Sequence, residues 1–296
     1  MKFLHKYLSA IGFSCIHNKK DFNELVKICT ANATERSYTS NGDETMLTIL
    51  SKEFAPGMGL SVCGEYDENN TFTYDYSYPY LRGTGITTSE DLTVERHSDK
   101  ESYAGICDDI NIGVSLIFYL QNIIPYIRAK NTDTLPVHGT TLTLSALSVN
   151  GTIMMPIMKN DRIKERADKK KVSRNRLIQA ARNGDEDAIE SLTLEDMDMY
   201  STLTKRIQRE DIYSIVETSF MPYGVECDQY SIIGEILECN KVKNSVTEEQ
   251  VYKMKIFCNE LVFDLCINEQ DLYGEPEVGR RFKGVIWLQG YINYPN

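Results

Sequence analysis

A cysteine followed by two carboxylates, in the string AGICDD, is the candidate for nucleophilic catalysis. Cys107 precedes Asp108 and Asp109, and His97 lies upstream as a candidate base. A catalytic cysteine must be present as the thiolate, and two adjacent carboxylates disfavour that anion. The sequence therefore argues against a cysteine nucleophile, and it predicts no catalytic residue.

The acidic run NGDEDAIESLTLEDMDMY at residues 183–200 has seven carboxylates and no basic residue. Carboxylate oxygens are ligands for Mg²⁺ or Ca²⁺, but these match no EF-hand spacing. Asp185 and Thr193 are each predicted to cap a helix, so that negative charge falls in first turns, where the helix dipole favours it. The run is therefore interpreted as helix termini, and neither a metal nor a cofactor is predicted.

Two basic segments raise the hypothesis of nucleic-acid binding. The stretch at 159–176 has nine basic residues against three acidic ones, but no aromatic residue that could stack on bases. The string RRFKGVIW offers a second contact through Arg280, Arg281 and Lys283. The chain has a formal net charge of −11, which repels a phosphate backbone. Nucleic acid is therefore an unfavoured partner, and a solvated face or a linker is the simpler interpretation of 159–176.

The eight cysteines are scattered along the chain, and most lie in apolar runs such as MKIFCNELVFDLCIN. This distribution is typical of free thiols in a reducing compartment. No run of eighteen apolar residues predicts a membrane span. These features predict a cytoplasmic protein.

The first half of the chain has helical periodicity up to about residue 30 and strand-like patterns after residue 44. GLSVCGEYDENNTFTYDYSYPY predicts a hairpin around the turn-forming DENN. Residues 140–158 predict a second hairpin, because Asn150-Gly151 is the preferred pair for a type I′ turn.

Four tyrosines alternate along the second strand of the first predicted hairpin, which puts Tyr74, Tyr76, Tyr78 and Tyr80 on one face. Tyrosine is frequent at interfaces, where one end is apolar and the other is wet. Two interpretations stay open: this face contacts another protein, or it packs into the core.

The predicted fold class is α+β, in three parts. An antiparallel-sheet domain with helices covers 1–158, and a helical connecting segment covers 159–222. The range 223–296 has four strand-like runs, which predict a small C-terminal β-barrel of the OB or SH3-like kind. Trp287 lies in the last run, and its pattern fits either a core or a surface position.

Four strings resemble an uncharacterised family, a domain of unknown function from anaerobic gut clostridial bacteria: ESYAGICDDINIGVSLIFYLQN, AARNGDEDAIESLTLEDMDMY, FMPYGVECDQYSIIGEI and GEPEVGRRFKGVIWLQGYI. The resemblance runs over nearly the full length and implies a cytoplasmic bacterial protein. It implies no activity, cofactor or catalytic residue.

The preferred functional hypothesis is a non-enzymatic binding or scaffold protein that contacts another protein, or a second copy of itself, through the C-terminal barrel and the face at Tyr74–Tyr80. One alternative is nucleic-acid binding by the barrel and the 159–176 stretch together. A second alternative is an enzyme of unrecognised class with a pocket between the domains.

Overall fold

The computed structural model describes residues 5–40, 45–90, 92–96, 102–108, 115–136, 139–157, 173–174, 176–181, 183–207 and 211–295. The chain folds into two compact units. The first unit runs to Met155 and resumes at Thr218, and the second is Pro156–Glu217. Within the part that the structure describes, no helix has both the length and the apolar character to cross a membrane.

The first unit contains a four-stranded antiparallel sheet in the order β1-β2-β3-β4. A 3₁₀ helix at Lys6–Ile11 and helix α1 (Lys19–Ala31) precede it, and both contact its strands. The strands are β1 (Glu35–Ser40), β2 (Met46–Ala55), β3 (Met58–Tyr66) and β4 (Phe72–Leu81). The predicted hairpin around DENN is therefore confirmed as β3 and β4.

Five further strands of this unit form a closed barrel. They are β8 (Thr141–Met154), β10 (Gln229–Lys243), β11 (Gln250–Cys258), β12 (Leu261–Asn268) and β14 (Arg281–Asn293). The ring closes because β8 pairs in parallel with β12 and antiparallel with β14. The predicted α+β class with a small barrel is confirmed, and the barrel takes one strand from before residue 158.

Shorter elements extend the barrel sheet. Strand β7 (Ser115–Leu120) pairs in parallel with β14, and β6 (Tyr103–Asp108) and β5 (Leu92–Arg96) continue outward from it. Helix α2 (Ile123–Asn131) follows β7. The remaining strands are β9 (Ser219–Pro222), which pairs with β10, and β13 (Leu272–Tyr273), which pairs with β8.

The predicted type I′ turn at Asn150-Gly151 is wrong, because β8 runs straight through both residues. Neither of them has a positive φ. Gly151 faces Gly284 across the β8–β14 pair, and the register shifts between Gly284 and Ile286. An added Cβ on Gly151 would lie under 3.0 Å from the Phe282 ring. The glycine therefore permits close packing where the barrel bends, a common role of glycine inside strands.

Gly151→Ala is expected to lower the free energy of unfolding by about 1–3 kcal/mol, the usual cost of overpacking a core. The added methyl would overlap the Phe282 ring, so Phe282→Leu in the same chain should recover part of the loss. Urea unfolding of the two single variants and the double variant measures both effects. An unchanged midpoint for Gly151→Ala would contradict this explanation of the glycine.

The second unit contains helix α3 (Glu186–Ile207) and the short helix α4 (Ile212–Ile215). Asp185 caps α3 as predicted, since its carboxylate accepts a hydrogen bond from the Ala188 N–H at 3.1 Å. The prediction that Thr193 starts another helix is wrong. Its hydroxyl donates to the Ile189 carbonyl at 2.8 Å within α3. No glycine or proline interrupts residues 186–207, so the helix continues through the acidic run.

Candidate functional site

A pocket of about 370 Å³ in the first unit, here called the Trp287 pocket, is lined by aromatic and charged side chains. Its walls are residues 5–7 at the start of the 3₁₀ helix, 76–78 of β4, Ser102, Tyr119 of β7, Trp287 of β14, and Glu226, Asp228 and Gln229 before and at the start of β10. The pocket therefore lies where the four-stranded sheet, the barrel and the first helix meet.

Two other cavities in the first unit are less suited to binding an organic ligand. One of about 60 Å³ beside Tyr80, Arg82 and Gln121 is too small for an organic ligand. Another of about 440 Å³ beside α2 is more open, and Arg128 and Tyr294 are its main functional groups. The Trp287 pocket combines ligand-sized volume with several aromatic rings and charges, which makes it the candidate site.

A continuous aromatic surface forms one wall of the Trp287 pocket. The Trp287 ring centroid lies 5.5 Å from that of Tyr7, with the planes inclined by 22°, and 5.2 Å from that of Tyr119. His5 stands 4.6 Å from Trp287 on the same wall. Tyr78 continues the surface at 4.6 Å from Tyr119. Such ring contacts add stability beyond simple burial, so the wall is a fixed part of the fold.

Asp228 holds the indole of Trp287 in position. The Trp287 Nε1–H donates to the Asp228 carboxylate at 2.6 Å, a short bond of the charge-assisted kind. A backbone hydrogen bond joins the same two segments, because the Leu288 N–H donates to the Asp228 carbonyl at 2.9 Å. Beside it, the Gln229 side-chain amide donates to Glu226 at 3.1 Å. Two carboxylates are thus anchored at the pocket.

The phenols of the wall stay neutral over the ordinary pH range. Burial raises the pKa of the Tyr7 hydroxyl, and the nearby carboxylates of Asp228 and Glu226 raise it further. Burial likewise raises the pKa of Tyr119 and of Tyr76. These groups can therefore present rings and hydroxyl dipoles to a ligand, but not a basic phenolate.

The structure divides the tyrosine face predicted from the sequence. Tyr76, Tyr78 and Tyr80 are buried in the core, which was one of the two open interpretations. Tyr74 is 43% exposed, so the hypothesis of a protein interface on this face keeps only that side chain. Tyr76 and Tyr78 have another role as well, because both line the Trp287 pocket.

The three basic residues near the C-terminus do not form one exposed patch. Arg281 is buried, and its Nε donates to the Met155 carbonyl at 3.0 Å. Arg280 pairs with Glu277 at 3.0 Å, and Lys283 is half-buried. The core-or-surface question for Trp287 is also answered, since its side chain is 4% exposed.

Other candidate groups are dispersed. Cys107 is buried, while His97 and Asp109 lie outside the described residues. Most of the 159–176 stretch also lies outside them, and Arg174 forms ion pairs with Glu195 and Asp196 of α3. Across the described ranges, no three His, Cys, Asp or Glu side chains are grouped as metal ligands would be.

Sequence reasoning singled out Trp287 but missed its partners Tyr7, Tyr119 and Asp228. They lie far apart along the chain. The pairing of β14 with β7 and β10 brings Tyr119 and Asp228 to Trp287, and the packing of the 3₁₀ helix brings Tyr7. The one available signal was that Trp287 is the single tryptophan of the chain.

No curated protein and no solved structure matches the chain. A family model described as "Domain of unknown function, E. rectale Gene description (DUF3881)" matches residues 8–290. This match confirms the resemblance to a gut clostridial family of unknown function that the sequence indicated. The chain therefore belongs to the DUF3881 family.

Proposed function

We propose that this protein is a non-enzymatic binding protein that holds a small organic ligand in the Trp287 pocket. The observation that carries the proposal is the wall of Tyr7, Trp287 and Tyr119 around a volume of about 370 Å³. Ligand sites are concave, mostly apolar, a few hundred Å³ in volume, and have a few fixed polar groups. The hypothesis of a binding protein is kept, and its contact surface moves from the tyrosine face to a pocket.

Binding is favoured over catalysis by the state of the polar groups at the wall. Asp228 already accepts the indole N–H at 2.6 Å, which suits a positioning role better than that of a general base. The Tyr7 and Tyr119 hydroxyls have raised pKa values and remain protonated near neutral pH. None of the eight cysteines is disulfide-bonded, which supports action in a reducing compartment such as the bacterial cytoplasm.

Because Trp287 is the only tryptophan, emission excited at a wavelength where the eighteen tyrosines barely absorb reports on this pocket. A mixture of neutral, anionic and cationic fragments is screened by saturation-transfer NMR, and each bound fragment is then titrated against Trp287 emission. At least one bound fragment should change that emission. If no fragment does, the proposed function is wrong.

A matched pair of variants tests the location of binding. Ser77→Phe adds a ring at a residue that lines the pocket, whereas Thr73→Phe adds the same ring at an exposed position of the same strand. Ser77→Phe should abolish fragment binding, and Thr73→Phe should leave it unchanged. Folding of both variants is checked by circular dichroism. Retained binding by a folded Ser77→Phe protein would contradict the proposal.

A further inference from the structure

Within the described part of the chain, the Trp287 pocket combines aromatic walls with more acidic than basic side chains. The rings of Trp287, Tyr7 and Tyr119 form the wall, and the carboxylates of Glu226 and Asp228 border it. From this combination we infer that the ligand presents an organic cation of the alkylammonium class to the pocket. The inference rests on the proposed function, because it specifies the chemistry of the ligand bound there.

Aromatic rings attract cations through the negative potential above their faces. One ring of this wall already has a cation beside it, since the Lys6 ammonium lies over the Tyr7 ring, 5.3 Å from its centroid. Lys6 is exposed at the rim of the pocket. A ligand cation can take the same kind of position, with Lys6 moving into solvent.

The charges at the pocket favour a cationic ligand over an anionic one. Among the lining residues that the structure describes, Glu226 and Asp228 carry negative charge and Lys6 carries positive charge. The two carboxylates raise the pKa of the Tyr7 hydroxyl beyond the effect of burial, so their negative potential reaches the aromatic wall. An anionic group entering the pocket would meet the same repulsion that opposes ionisation of Tyr7.

The wall suits an alkylated cation better than a metal ion. Mg²⁺ and Ca²⁺ take six or more oxygen ligands, whereas this wall is largely ring carbon and Asp228 already accepts the indole N–H. An alkylammonium group has an apolar surface that gains from contact with Trp287, Tyr7 and Tyr119. It also needs no fixed set of ligand atoms.

The test compares choline with its uncharged isostere 3,3-dimethylbutanol, each titrated against Trp287 fluorescence. The two molecules have nearly the same shape, so a difference in affinity reports on the positive charge. Choline is expected to bind at least about tenfold more tightly, within the range of cation–π contacts at partly desolvated sites.

Two variants remove negative charge with little change of shape. Asp228→Asn keeps an oxygen that can accept the Trp287 N–H, and Glu226→Gln changes an exposed residue but keeps an oxygen that can accept the Gln229 amide. In each variant, the affinity for choline should fall by about three- to tenfold relative to the affinity for 3,3-dimethylbutanol. Glu68→Gln, an exposed carboxylate in the β3–β4 turn, is the matched control and should change neither affinity.

The outcomes separate this inference from the proposed function. Equal affinities for choline and 3,3-dimethylbutanol, or unchanged choline binding in Asp228→Asn and Glu226→Gln, overturn the alkylammonium inference while ligand binding stands. If choline does not bind but uncharged fragments change the Trp287 emission, the alkylammonium inference is likewise overturned and ligand binding stands. If no fragment of any charge affects Trp287, the proposed function and the inference fail together.

Discussion

Replacing Phe118 with alanine is expected to lower the free energy of unfolding by about 3–5 kcal/mol, the usual range for a buried phenylalanine. Phe118 of β7 is fully buried, and its ring fills a space bounded by two glycines. An added Cβ on Gly105 of β6 or on Gly290 of β14 would lie under 3.0 Å from this ring. The ring therefore joins three strands, and its removal leaves a cavity between them.

Urea unfolding of Phe118→Ala, with Tyr273→Ala as the control, measures this effect. Tyr273 is 80% exposed on β13, so its truncation should change stability by less than about 0.5 kcal/mol. Gly105→Ala should also be destabilising, because the methyl would collide with a fixed ring. A loss below about 1 kcal/mol in Phe118→Ala would mean that the surrounding strands collapse into the space, contrary to this packing.

Local patterns in the sequence predicted the parts of the fold that depend on neighbouring residues. The β3–β4 hairpin follows from its alternating residues and from DENN, where Asn70 adopts the positive φ typical of asparagine in turns. Asp185 caps α3 for an equally local reason. These features need only a few adjacent residues, so a single sequence is sufficient to predict them.

The barrel closure depends on residues far apart and was only partly predicted. The parallel pairing of β8 with β12 brings Ser145 opposite Asp264, across more than a hundred residues. The Asn150-Gly151 pair is typical of a turn, but the glycine is needed because the Phe282 ring leaves no room for a side chain. A glycine required for close packing and one required for positive φ look the same in the sequence.

The candidate site was largely beyond sequence reasoning. Alternation correctly grouped Tyr76, Tyr78 and Tyr80 on one side of β4, but it could not tell whether that side is buried. The side is decided by what packs on it, which here includes Tyr119 from β7. Trp287 was ambiguous for the same reason, because its burial depends on Tyr7 and Tyr119, whose rings pack against it.

The protein is expected to lose stability steeply above about pH 9, because several buried acids must stay neutral in the fold. Burial raises the pKa of the Cys29 and Cys258 thiols from 9.0 to about 12 and that of the Tyr230 phenol from 10.0 to about 12. The unfolded chain releases these protons at lower pH than the folded protein does. Their stabilising contribution is therefore complete below pH 9 for the thiols and below pH 10 for the phenol, and it is lost as pH rises toward 12.

A pKa difference of one unit between the folded and the unfolded chain corresponds to about 1.4 kcal/mol. A single buried thiol therefore contributes several kcal/mol to the loss of stability at high pH. Urea unfolding under reducing conditions, at about pH 7 and about pH 10.5, measures this slope. Cys258→Ala should flatten it, because one buried thiol no longer titrates, whereas Cys15→Ala removes an exposed thiol and should leave it unchanged. Equal slopes in all three proteins would show that the buried thiols do not govern alkaline unfolding. A flatter slope in Cys258→Ala alone would link the loss of stability to the closely packed barrel, where burial makes the neutral thiol a condition of folding.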